Sequence, residues 1–135
     1  MTAVVADTSA IIGIIAKEVG WERIVDAIHA APERWVSAAT ELELALVVVG
    51  RRGTRDNLET LDQLLRTLRL ETRPVDRGQI HMAREAFLKF GKGRHPAALN
   101  FGDCFSYALA KSLQVPLLFV GNDFARTDID AALSG

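Results

Sequence analysis

The chain of 135 residues carries 16 basic and 17 acidic side chains, for a net charge of −1, with 49% apolar and 24% charged residues. This balance excludes a disordered or fibrous protein, fits one globular domain over 1–135, and gives no global attraction to nucleic acid, so RNA binding would need a local basic patch. The longest apolar stretches, Ala10–Ala16 and Leu42–Val49, fall short of the roughly 20 residues that cross a bilayer. No membrane association is expected. The N-terminus lacks a secretory signal pattern and the single Cys104 has no partner for a disulfide or a zinc pair, so the expected location is the cytoplasm.

In chain order, Val4–Ala6 reads as a strand that meets the polar Asp7-Thr8-Ser9 and then a helix from about Ala10. Trp21, Ile24, Val25 and Ile28 recur at helical spacing and predict a second helix ending before Pro32. Arg34-Trp35-Val36 predicts a strand. Ser37 is a good N-cap for a helix from Ala38 to about Val49 that is apolar almost all round, closed by Gly50. Leu58, Leu61, Leu64, Leu65 and Leu68 form one stripe and predict an amphipathic surface helix from Arg55 to Leu68. A strand over Leu70–Val75 follows, then a helix over Arg77–Phe90, broken by Gly91 and Gly93. After a glycine-rich basic loop, Asn100 opens a helix through about Leu113. Leu117–Val120 predicts a last strand, and Gly121-Asn122-Asp123 turns the chain. No repeat or linker divides the chain. Strands alternating with helices predict an α/β layer fold with a mostly parallel sheet of about four strands, whose ligands favour the carboxyl ends of strands.

Four acidic positions attract attention. Asp7 and Asp123 follow predicted strands, which places them on that edge, and Asp103 lies in the first turn of a helix. Each has an ordinary structural role open to it: helix cap for Asp7, dipole partner for Asp103, turn former for Asp123. Glu43 is harder to explain, because its helix is apolar and no Lys or Arg occurs between Trp35 and Gly50. A carboxylate there is costly unless a hydrogen-bond donor or a cation meets it. Glu41 shares that argument on a different helix face, and spacing does not choose between the two. Oxygen-only ligands suit Mg²⁺ or Mn²⁺ rather than zinc, and His29, His81 and His95 are too scattered to be ligands. Several carboxylates with such an ion suit phosphodiester hydrolysis.

Five blocks in order then carry a resemblance: Val5-Ala6-Asp7-Thr8-Ser9-Ala10; Val36-Ser37-Ala38-Ala39-Thr40-Glu41-Leu42-Glu43; Gly91-Lys92-Gly93-Arg94-His95-Pro96-Ala97-Ala98-Leu99-Asn100; Gly102-Asp103-Cys104-Phe105-Ser106-Tyr107-Ala108-Leu109-Ala110-Lys111; and Leu118-Phe119-Val120-Gly121-Asn122-Asp123-Phe124 with Thr127-Asp128-Ile129. Together they resemble the VapC-type toxins of the PIN-domain ribonucleases, over nearly the whole chain. The resemblance implies a three-layer sandwich with a mostly parallel sheet of four to five strands. It implies a Mg²⁺- or Mn²⁺-dependent endoribonuclease acting as the toxin of a type II toxin–antitoxin system. Its substrate would be RNA, such as tRNA or another structured RNA, its partner a VapB-type antitoxin, and its assembly a homodimer.

Carried over by position, the metal-binding and catalytic acids fall on Asp7, Glu43, Asp103 and Asp123, which selects Glu43 over Glu41. Thr8, Ser9 and Asp128 become supporting residues, and Asn122 stands where some relatives carry another acid. Lys89, Lys92, Arg94 and His95 precede Asp103 and are candidates for holding RNA phosphates, as against forming a solvated loop. Arg51, Arg52 and Arg55 form a second basic cluster for RNA or antitoxin. Two other readings are a haloacid-dehalogenase-type phosphotransferase and a non-catalytic PIN-like module that binds RNA or protein. The first expects an Asp where this chain has Ser9; the second expects lost acids, and all four are present.

Overall fold

A computed structural model of the chain describes residues 3–133. Four strands, β1 (Val4–Ala6), β2 (Arg34–Ser37), β3 (Glu71–Arg73) and β4 (Leu117–Leu118), form one sheet in the order β3-β2-β1-β4. All three pairings are parallel, with Val5 opposite both Trp35 and Leu117. Six helices surround it: α1 (Thr8–Ile15), α2 (Trp21–Ala30), α3 (Ala38–Val49), α4 (Arg55–Thr67), α5 (Arg77–Phe90) and α6 (Phe101–Leu113).

Side chains alternate across a strand. Val4 and Ala6 of β1 with Leu118 of β4 therefore join α1, α2, α3 and α4 in one core, built around Ile11, Ile28 and Leu44. Val5 and Leu117 point the other way and join α5 and α6 around Ala86, Leu99 and Leu109. Two cores on opposite faces of one sheet make the expected three layers. A short strand buried on both faces has no polar side to spare, which is why VVA and LL suffice.

Local signals explain most boundaries. Ser37 Oγ accepts from Ala39 N at the start of α3, and Asn100 and Asp103 exchange side-chain and backbone hydrogen bonds as a capping box on α6. The first helix begins at Thr8, ahead of the expected Ala10, because Asp7 caps it directly.

The structure corrects several expectations. The strands predicted over Leu70–Val75 and Leu117–Val120 shrink to Glu71–Arg73 and Leu117–Leu118, and no fifth strand is present among the described residues. Asp123 consequently does not follow a strand directly; residues 119–122 intervene, and a 3-10 turn over Phe124–Arg126 follows it. Helix α3 is not enclosed either: Thr40 and Leu44 are buried, but Leu42, Leu46 and Val47 are exposed, with Leu46 at 65%. Among the described residues no helix is long and apolar enough to cross a membrane.

The sheet order places the site. The chain runs from β1 outward through β2 to β3, then returns to the other side of β1 for β4, so the connection leaving β1 and the one arriving at β4 lie on opposite sides of β1. At such a reversal the carboxyl ends of the strands open a crevice. Asp7 N donates to Leu118 O across the β1–β4 ends at 2.9 Å, which fixes that rim.

Candidate active site

Asp7 is 4% exposed at the end of β1, and its Oδ2 accepts from Ser9 N at 3.0 Å and from Ser9 Oγ at 2.7 Å. The cap predicted from sequence is real, and it does not remove Asp7 from the rim. Ser9 Oγ also accepts from Val120 N at 3.0 Å, so one hydroxyl joins the Asp7 carboxylate to the segment after β4. Thr8 Oγ1 donates to Glu43 Oε1 in a short bond, drawing α3 to the same rim. Glu43 is half-buried, and that hydroxyl answers part of its solvation debt.

Glu41 turns elsewhere, accepting from Thr72 Oγ1 beside β3 at 2.5 Å. The two glutamates that sequence spacing left open are thus separated by their partners. Gly102, the residue before Asp103, lies directly under Glu43: a Cβ on it would stand 2.2 Å from Glu43 Oε2 and 2.8 Å from its carboxyl carbon. Sequence reasoning did not single out Gly102. Its one signal is a glycine in the first turn of a helix, where it weakens the helix unless space demands it.

Asp103 shows that the acids share a locality. Its carboxyl is pushed up from 3.8 to about 6, first by burial and then by the negative charges of Asp7, Asp123 and Glu43; only the Asn100 backbone N–H, at 3.0 Å, opposes. Asp123 is exposed, and its carboxyl makes no hydrogen bond among the described residues. Each of the other three acids is turned to a local donor: Ser9, Thr8 or Asn100. Among the described residues no three His, Cys, Asp or Glu side chains meet closely enough to hold a metal ion.

The donor set nevertheless fits a hard divalent cation: carboxylate oxygens from four segments, with neither thiol nor imidazole among them. Such an ion would reverse the repulsion that raises Asp103.

Asp128 lies in a different place. It accepts from the Tyr107 hydroxyl in a short bond and pairs with Lys111 at 3.4 Å. Burial pushes the Asp128 carboxyl up, but those two partners outweigh it and leave it below the usual carboxylate range. Burial, and then Asp128, push the Tyr107 phenol up. Burial and then Asp103 push the buried Cys104 thiol up, which disfavours the thiolate and suits a packing role.

Asn122 is exposed in the turn beside Asp123. In the basic loop, Lys89 and Lys92 are exposed, while Arg94 Nε donates to Leu88 O at 3.2 Å. His95 stacks edge-on against Phe90 at 5.2 Å and its Nδ1 accepts from Ala97 N at 3.0 Å, so it braces the loop from within.

A parallel sheet with acids from four segments near its switch-point end is the arrangement expected of a phosphodiester-cleaving fold, and the comparisons name the family. The chain belongs to the PIN domain family, which matches residues 4–130, and within it to the VapC ribonucleases. It is 45% identical over 125 residues to Ribonuclease VapC30 of Mycobacterium tuberculosis, covering 93% of this chain and 95% of that protein. Its fold is similar to VapBC-1 from nontypeable Haemophilus influenzae, with a TM-score of 0.76, 18% identity and 96% of each chain covered. It is also similar to Mycobacterium tuberculosis VapC20, described as a sarcin-ricin loop cleaving toxin, with a TM-score of 0.70, 16% identity, and 93% and 95% of the two chains covered. At those identities the structural likeness speaks for the fold.

Proposed function

We propose that this chain is the toxin of a type II toxin–antitoxin pair, an endoribonuclease whose Asp7, Glu43, Asp103 and Asp123 hold Mg²⁺ or Mn²⁺. One observation carries the reading: carboxylates from four separate segments lie near enough to one another that Asp7, Asp123 and Glu43 all raise the Asp103 carboxyl. Structural acids are normally paired. A divalent ion held there supplies charge neutralisation on the scissile phosphate and a more acidic attacking water.

The chain's own residues do the rest. Ser9 fixes the Asp7 carboxylate, Thr8 holds Glu43, and Asn100 orients Asp103 through the capping box. Lys89, Lys92 and Arg94 offer positive charge in the loop leading into α6, where phosphates of a structured RNA, tRNA among the candidates, would lie. Asn122 adds a neutral side chain beside Asp123, and His95 shapes the loop that carries the cations. Asp128 supports the arrangement from Tyr107 and Lys111. The non-catalytic alternative leaves four gathered acids without a purpose.

The whole chain acts as one PIN domain, in the cytoplasm, where the lone thiol stays reduced. A VapB-type antitoxin is its partner, a reading supported by the likeness to a VapBC assembly. Two exposed apolar sets are open to a second copy, Leu42, Leu46 and Val47 on α3 and Phe87, Leu88 and Phe101 on α5 and α6, and the α3 set is the one on which a homodimer would form.

The test is RNA cleavage by the purified chain with Mg²⁺ or Mn²⁺, with and without chelator, beside Asp7→Asn. Cleavage that needs the ion and disappears in the variant is expected. Cleavage that survives chelator or the substitution defeats the reading.

A further inference from the structure

Asp123 differs from the other three acids in how it is held. Asp7, Glu43 and Asp103 each receive side-chain hydrogen bonds, whereas the Asp123 carboxyl receives none among the described residues. Its position is therefore set by its backbone, and the backbone from 119 to 130 has few regular hydrogen bonds. Phe124 is buried at 3% exposure, and Thr127 Oγ1 bridges Phe124 O at 2.7 Å and Ile129 N at 3.2 Å. These contacts tighten the segment internally. Two others tie it to the elements around Asp103.

Arg126 Nη1 donates to Pro96 O at 3.1 Å, joining the segment to the loop before α6. Asp128 accepts from the Tyr107 hydroxyl and pairs with Lys111, whose Nζ also reaches the Asp128 carbonyl at 3.2 Å. Tyr107 follows Asp103 by four residues, so it lies one turn along the same face of α6. It is 6% exposed, with its ring against Phe90 at 6.1 Å. One rigid helix thus presents Asp103 in its first turn and grips the Asp123 segment one turn later. The Asp128 carboxylate uses Oδ1 for Tyr107 and Oδ2 for Lys111, so both its oxygens are engaged away from the crevice.

We infer that Tyr107 and Asp128 form a clamp that fixes the separation of Asp123 from Asp103, both acting as positioning residues and neither as a metal ligand. The meaning of that separation rests on the four-carboxylate reading; the clamp itself is measurable without RNA. A charge-assisted phenol–carboxylate bond with a buried donor holds its geometry against water better than an exposed ion pair does.

The experiment uses the full chain free of RNA, with Mn²⁺ affinity measured by calorimetry and amide hydrogen exchange followed over 120–130. Tyr107→Phe keeps the ring and removes only the hydroxyl; Asp128→Asn keeps an acceptor; Asp128→Ala removes both acceptor and charge. Tyr107→Phe and Asp128→Ala are each expected to weaken Mn²⁺ binding about 10-fold, the scale on which groups supporting a metal site act. Exchange over 120–130 should quicken in both, the double variant should be no worse than Asp128→Ala, and Asp128→Asn, which keeps an acceptor for the Tyr107 hydroxyl but loses the charge, should fall between wild type and Asp128→Ala. Wild-type Mn²⁺ affinity in Tyr107→Phe overturns the clamp, as do additive losses or an Asn variant as impaired as Ala, since the charge would then be acting on the ion directly. A wild-type chain that binds no Mn²⁺ defeats the four-carboxylate reading instead; exchange over 120–130 that stays unchanged in Tyr107→Phe then overturns the clamp, and exchange that quickens upholds it.

Discussion

Replacing Gly102 with Ala separates the stability of the fold from the geometry of the site. The added Cβ would stand 2.2 Å from Glu43 Oε2 and 2.9 Å from Oε1. Carbon and oxygen settle at about 3.3 Å or beyond, so the Glu43 carboxylate has to retreat by about 1 Å. The backbone of α6 has no reason to move, because the obstacle is the end of a flexible side chain. Alanine also favours a helix over glycine by up to about 1 kcal/mol, less in a first turn, so the melting temperature should hold or rise slightly. Cleavage should nevertheless fall by about 100-fold, the usual cost of a displacement of this size in a reacting constellation. The assays are RNA cleavage at saturating Mn²⁺ and thermal melting in chelator. Wild-type cleavage at an unchanged melting temperature would refute the reasoning, because Glu43 would then be dispensable where it stands. A collapse in melting temperature would also refute it, by showing that the carboxylate cannot yield.

Other outcomes follow from the same geometry. Glu43→Gln should lower cleavage by at least about 100-fold, while Glu41→Gln, whose carboxylate accepts from the Thr72 hydroxyl instead, should cut at nearly the wild-type rate; equal effects in a side-by-side cleavage assay would contradict the placement. Asp103 has its folded pKa raised from 3.8 to about 6, so between those values the folded chain binds more protons than the unfolded one. Its contribution to stability therefore declines as pH rises through that window. Metal-free protein should lose melting temperature between pH 4 and pH 6, Asp103→Asn should flatten that part of the profile, and Mn²⁺ at pH 7 should restore stability to the wild type. If the proposed homodimer uses the open face of α3, Leu46→Lys should give monomers in sedimentation velocity where the wild type gives dimers, without lowering the monomer's melting temperature; a persistent dimer would place the interface elsewhere.

Several features were legible in the sequence because their causes are local. The start of α6 at Asn100, the Ser37 cap and the leucine stripe of α4 each involve residues within one or two turns, and each appears where expected. Other features depend on contacts distant in sequence. Leu42, Leu46 and Val47 read as core because hydropathy records what a side chain prefers, not whether a neighbour covers it. The choice of Glu43 over Glu41 came from resemblance, and its physical basis is which threonine each one meets, Thr8 or Thr72. Gly102 was invisible for the same reason: the obstruction that forbids a larger residue lies on another helix. The brevity of β4 moved Asp123 off the strand end and onto a turn, since two residues sandwiched between both cores already satisfy the sheet.

The double hydrogen bond that Ser9 makes to Asp7 reaches beyond helix capping. Both donors fall on Oδ2, and an oxygen of a carboxylate has about two lone pairs to offer. Asp7 is left with Oδ1 alone for any newcomer, which makes it a one-toothed donor. An ion satisfied by few protein oxygens keeps much of its own water, the habit of magnesium and manganese rather than of calcium, which asks for more encirclement. Ser9, through its backbone and its hydroxyl, would thereby bias which element the proposed cleft welcomes.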